Sequence, residues 1–162
     1  MVLLDWPEIV LRLSAATLAG GLIGLDRDLH GKPIGLKTLG VVGLATAMVV
    51  MLALPPDGAG RISDATSRVI QGILTGIGFL GAGVIVHGDH KMRVHGLTSA
   101  ACAWLAACAG IGCGIGQWRI VFAGLAIAAV LLLAGRRLER WLHRTLGGKD
   151  EAAEEAPVDA AK

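Results

Sequence analysis

With 162 residues, 54% of them hydrophobic, and a mean hydropathy of +0.64, the chain is far more apolar than a water-soluble domain of its size needs to be. A net charge of +2 gives no electrostatic case for nucleic acid. The 24 glycines are about twice the usual ~7%; no collagen period or Pro/Gly linker accounts for them, so they belong to the apolar segments.

Five segments are long and apolar enough to span roughly 30 Å of hydrocarbon: residues 8–25, 36–54, 69–86, 97–115 and 118–135. The sequence thus predicts an all-α, polytopic bundle occupying 1–144. Asp5, Pro7 and Glu8 read as an N-cap, a first-turn proline and a capping-box acid. The N-terminus has no charged region or cleavage site of a signal peptide, so the first span is expected to be retained. Pro55-Pro56 ends the second span, and only Gly116-Gln117 separates the fourth from the fifth. From residue 145 the chain turns polar and is expected to be a disordered cytoplasmic tail.

Charge asymmetry sets the expected orientation. One set of connections carries Arg27, Lys32, Lys37, Lys91, Arg93, Arg136, Arg137, Arg140, Arg144, Lys149 and Lys162. The opposite set carries only Arg61, Arg68 and Arg119, while Arg12 lies within the first span. The N-terminus is therefore expected outside and the C-terminus in the cytoplasm.

The third span contains G-I-L-T-G-I-G-F-L-G-A-G-V-I-V from Gly72 to Val86. Gly76-x-Gly78-x-x-Gly81 matches the dinucleotide fingerprint in form, but it lacks the preceding strand and solvent-facing helix start that the motif requires. As a packing surface the run offers Gly72, Gly76, Gly78, Gly81 and Gly83, and Gly20-x-x-x-Gly24 repeats the device in the first span. The fourth span is small nearly all round, which predicts that the third and fourth spans form the bundle centre. Cys102, Cys108 and Cys113 all lie in that span and read as small packing residues.

Polar groups in or near apolar spans are the functional candidates. Asp26, Arg27 and Asp28 close the first span, and Lys37-Thr38 opens the second. Arg68 and Gln71 enter the third from the opposite side, and Thr98-Ser99 opens the fourth. Gln71 lies about a turn inside the span and needs a hydrogen-bond partner. Arg12 follows Glu8 by four residues, the favourable order for a helix pair, and its head can snorkel outward. His87, Asp89, His90 and His95 crowd one loop, whose composition reads as solvated rather than as a metal site. There is no phosphate-binding loop, H-E-x-x-H or nucleophile elbow. No enzyme, cofactor or metal is expected.

Taken in order, these residues resemble the MgtC/SapB family of bacterial inner-membrane proteins, over roughly residues 18–136. The blocks are G-L-I-G-L-D-R-D (Gly21 to Asp28), Gly35-Leu36-Lys37-Thr38, Arg68-Val69-Ile70-Gln71-Gly72 running into Gly76 to Ile85, and Gly96-Leu97-Thr98-Ser99-Ala100-Ala101 followed by Trp104. Asp26, Lys37 and Ser99 stand where the family usually has glutamate, arginine and threonine. Lys37 keeps the charge but loses bidentate geometry. The resemblance implies a multi-span inner-membrane protein linked to magnesium limitation and survival in host cells, regulating rather than pumping. ATP synthase is among the partners proposed for the family. Longer members add a soluble C-terminal domain, which the tail after Arg144 is not expected to supply. Two functions are weighed: a homo-oligomeric regulator that binds other membrane proteins through glycine-rich helix faces, and a small oligomeric carrier or channel for a cation such as magnesium. A carrier would line its path with Asp26, Arg27, Asp28, Lys37, Arg68, Gln71, Thr98 and Ser99.

Overall fold

A computed structural model describes residues 4–55, 62–87 and 94–146. Five helices follow in order: α1 (Trp6–Leu29), α2 (Leu36–Leu52), α3 (Asp64–Val84), α4 (Leu97–Ile115) and α5 (Trp118–Leu146). Between α3 and α4 two short strands, β1 (Val86–His87) and β2 (Val94–His95), pair antiparallel with Val86 opposite His95. The sequence predicts a loop here; its arms pair as a two-residue ladder. Asp89 and His90 lie outside the described residues, as does most of the tail from 145 onward. Among the described residues α1, α3 and α4 are long and apolar enough to cross a membrane. Helix α2, at 17 residues, and the apolar stretch Trp118–Leu132 are shorter. At 1.5 Å per residue, 17 residues rise about 25 Å, the low end of what a span requires.

The helices begin and end where local chemistry dictates. Asp5 is the N-cap of α1, with Pro7 in the first turn, but its side chain makes no capping bond. Glu8 does not complete a capping box either, because its carboxylate accepts from Arg12 Nε at 2.7 Å. Helix α1 stops at His30, and Gly31, at φ +61°, turns the chain toward α2. Ser63 caps α3 by accepting from the Thr66 N–H at 3.1 Å. Gly116, at φ +86°, closes α4, and its N–H and that of Gln117 return to Gly112 O.

The packed centre is α1, α2 and α4. On α1 the buried residues Ala16, Ala19, Gly20, Ile23, Gly24 and Arg27 recur at the spacing of one helical face. On α2, Leu39, Gly40, Val42, Gly43, Thr46, Ala47 and Val50 do the same. Where these stripes meet there is no room for side chains. A β-carbon at Gly24 would lie 2.6 Å from Leu36 Cα, and one at Gly20 would overlap Leu39 O. One at Gly43 would overlap Ala16 O. Helix α4 packs on α2 in the same way: a β-carbon at Gly110 would overlap Thr46 Oγ1 and Gly43 O, and one at Gly114 would come within 2.9 Å of Ala47 O. Such approaches suit a membrane interior, where lipid tails supply no hydrophobic drive between helices and close backbone packing replaces it. At one end Val121 of α5 joins Ala16, Ala47 and Cys113 in a buried cluster, with Leu13, Ala15, Trp118 and Leu125 around it. The chain divides into two compact units at Leu125/Ala126. In the second, α5 continues as helix to Leu146.

The expected centre is thus half right. Helix α4 is the most enclosed of the three long spans, with 56% of its apolar window buried, but α3 has only 11% buried. Helix α3 lies at the edge, against α4 and marginally α2. Its helix also starts five residues before the expected span and ends two before it.

Candidate functional site

Two arginines of α1 reach across to α4. Arg12 Nε is held by Glu8, and its Nη1 donates to Gly114 O at 2.8 Å. That carbonyl belongs to the last turn of α4, where a cation meets unpaired C=O groups and the negative end of the helix dipole. The expected Glu8–Arg12 pair is present, but the arginine head is turned inward to another helix rather than outward. At the other end Arg27, only 6% exposed, donates from Nη2 to Ser99 Oγ at 2.7 Å. Arg12 and Arg27 are 15 residues apart, and so are Gly114 and Ser99. This matched spacing makes α1 and α4 antiparallel, clamped at both ends about 22 Å apart along the axis. The two clamps differ in electrostatics. Arg27 sits at the positive end of α4, and its Nε is buried without a hydrogen-bond partner.

The residues around Arg27 are mainly connectors. Asp28 Oδ2 accepts from the Leu36 N–H at 2.8 Å, so an α1 carboxylate caps the start of α2. The formal N-cap, Gly35, has no side chain to do it, and a β-carbon there would overlap the Asp28 carboxylate. Asp28→Ala should destabilise the protein by about 1 kcal/mol, the usual value of a lost cap. Asp28→Asn should recover part of this in thermal unfolding of the purified protein. Asp26 is half-buried; its carbonyl accepts from His30 Nδ1 at 2.6 Å, and its carboxylate lies 3.6 Å from the same nitrogen. Lys37, Thr38 and Thr98 are exposed. Lys37 borders a shallow apolar groove between α1 and α2 whose floor is Gly21 and Gly40.

Helix α3 departs most from expectation. Gly20 and Gly24 pack as the sequence suggests, and Gly81 meets Ala100 Cβ at ordinary distance. A β-carbon at Gly72, Gly76, Gly78 or Gly83 would meet nothing within 4 Å. Among the described residues these four therefore do no packing. Arg68 and Gln71 are exposed on the same helix. The Gln71 carbonyl accepts from Thr75 Oγ1 at 2.9 Å, but its side-chain amide has no partner among the described residues. Of the eight residues offered as a carrier's polar path, Arg27 and Ser99 are brought into a hydrogen bond.

Three elements escaped the sequence reading. Gly43, Gly110 and Gly114 also leave no room for a β-carbon, and Gly110-x-x-x-Gly114 is the signal the sequence offers. Thr66 is fully buried and donates from Oγ1 to Ala53 O at 2.6 Å, tying the start of α3 to the end of α2. The reach of Arg12 to α4 has no local signature at all.

Apolar helices packed through glycine, with lipid-sized side chains such as Leu18, Leu22 and Val41 turned outward, define a helical membrane-protein bundle. The MgtC family profile matches residues 13–141, and the chain belongs to that family. It is 36% identical to protein SrpB of Synechococcus elongatus over 87% of this chain and 83% of SrpB. Against protein SapB of Bacillus subtilis the identity is 35%, over 90% of this chain and 64% of SapB. Against protein MgtC of Salmonella typhimurium it is 37%, over 81% of this chain and 52% of that protein. The chain thus matches about half the length of MgtC and less than two thirds of SapB. No solved structure matches it.

Proposed function

We propose that this chain is an interaction protein of the bacterial inner membrane that regulates other membrane proteins through α3, with its N-terminus outside and its C-terminus in the cytoplasm. The setting we infer from the family resemblance is adaptation to magnesium limitation or survival in a host, and ATP synthase is the partner that resemblance suggests. The observation that carries the reading is the contrast between two sets of glycines. Gly20, Gly24, Gly43, Gly110 and Gly114 of α1, α2 and α4 lie against the chain's own backbone, whereas Gly72, Gly76, Gly78 and Gly83 meet nothing within 4 Å. Glycine in a helix lowers its stability by about 1 kcal/mol per residue in water, and α3 carries four with no return among the described residues. Close approach of another transmembrane helix would supply that return.

Gly76→Leu and Gly83→Leu are expected to abolish co-purification of membrane partners from cells grown in low magnesium, with insertion and expression unchanged. If both variants retain every wild-type partner, the reading fails.

A further inference from the structure

We propose that the groove between α1 and α2 is a binding site for an anionic phospholipid, with one acyl chain lying over Gly21 and Gly40 and the phosphate held by Lys37. This surface is separate from α3, since every residue that lines it belongs to α1 or α2. Two adjoining hollows make up the groove. The first opens beside Leu13; the second shares Leu18 with it and runs past Gly21 and Gly40 to Leu25 and Lys37. From Leu13 to Leu25 is twelve residues, about 18 Å at 1.5 Å per residue. Half of a ~30 Å hydrocarbon core is about 15 Å, so the groove is as deep as one leaflet.

The glycines on its floor are of another kind from those that join the helices. A β-carbon at Gly21 would meet only Leu36 Cγ, at 3.9 Å, and one at Gly40 would come no closer than 3.5 Å to Thr17 O. Side chains fit at both positions, so glycine there deepens the groove and is not required by the α1–α2 contact. An acyl chain gains no hydrophobic energy by leaving its neighbours in the bilayer, so selection must come from fit and from the head. The head is chosen by charge. Lys37 is exposed at the end of the groove and enters no hydrogen bond or ion pair among the described residues. Asp28, at the same end, is committed to the Leu36 N–H. An apolar trough one leaflet deep, closed by an unpaired ammonium, matches an amphiphile with a single-leaflet tail and an anionic head. A basic residue bordering a cleft between membrane helices is the usual seat of such headgroups. A zwitterionic lipid fits less well, because its own cation opposes the lysine.

The test is native mass measurement of the full chain, titrated with phosphatidylglycerol or with phosphatidylcholine of the same acyl chains. The wild type should retain one phosphatidylglycerol and hold it roughly fivefold tighter than phosphatidylcholine, the contribution of one basic residue at an anionic surface. Lys37→Gln should erase that preference. Arg68→Gln, which removes an exposed cation from α3, should keep it. Gly21→Leu fills the groove and should lower retention of both lipids, with helical content unchanged by circular dichroism. Gly40→Ala, a smaller filling, should lower it less and covers the case in which the leucine variant does not fold. Equal retention of the two lipids by the wild type, a preference that survives Lys37→Gln, or retention untouched by both groove variants would each overturn the proposal. Loss of the preference in Arg68→Gln would do so too, since general surface charge would then be selecting the lipid. If Gly21→Leu dissolves a dimer and leaves lipid retention unchanged, the groove holds a second copy and not a lipid.

Discussion

Replacing Gly110 by alanine is expected to cost the bundle about 3 kcal/mol, the upper end of overpacking penalties. The added carbon would overlap Thr46 Oγ1 and Gly43 O and lie 3.1 Å from Gly43 C. The obstacle is mostly backbone, so no rotamer change relieves it, and α2 and α4 must separate along their contact. Thr46 has little freedom to retreat either, because Oγ1 already donates into its own helix toward Val42 O and Gly43 O. Gly76→Ala in α3 is the matched control. It adds the same methyl where nothing lies within 4 Å, and should change stability by less than about 1 kcal/mol, in the favourable direction expected of alanine in a helix. Unfolding in mixed micelles, followed through the tryptophan fluorescence, separates the two. Equal effects at both positions would mean that glycine matters here through helix propensity and not through contact.

The same pair of positions marks how far the sequence could be read. Hydropathy and charge placement located all five helices, because crossing hydrocarbon imposes a length and a polarity that leave a direct trace in composition. Glycine content also announced close packing. It could not assign that packing to helices, because spacing tells which residues share a face and not what stands opposite. The run in α3 holds five glycines between Gly72 and Gly83, yet the closest contacts are made by Gly20, Gly24, Gly43, Gly110 and Gly114 of α1, α2 and α4. A glycine-rich face that the chain leaves open and one that it fills have the same signature in one dimension. At the polar site, Arg27 and Ser99 could each be nominated as polar residues near span ends, but their pairing across 72 positions depends on the antiparallel packing of α1 and α4. Asp28 drew attention as a possible functional carboxylate, and its bond to the Leu36 N–H gives it a structural role as a cap. The reach of Arg12 to Gly114 O depends on tertiary structure in the same way, since a backbone carbonyl leaves no mark in a sequence.

Ser99→Ala is expected to cost about 1.5–3 kcal/mol, the range for losing a hydrogen bond to a charged group. It removes the acceptor of Arg27 Nη2 from a guanidinium whose Nε is already buried and unpartnered, at the end of α4 where the dipole is least favourable. Arg27→Met should cost less. Methionine fills a similar volume, the unfavourable charge is gone, and the Ser99 hydroxyl left behind can turn to a carbonyl of the preceding turn. The double variant should then be about as stable as Arg27→Met alone, so that Ser99→Ala becomes nearly neutral once the cation is absent. A double-mutant cycle of unfolding free energies reads this coupling directly. Additive losses would mean that the two side chains do not act as a unit. The cycle also isolates a functional role from a structural one. A buried cation lacking a full set of acceptors is a poor way to gain stability, since an apolar replacement of similar size often does as well or better. If Arg27→Met folds with near-native stability yet fails to support growth in low magnesium, the guanidinium serves what the protein does in the membrane, and the clamp at Ser99 holds it in place.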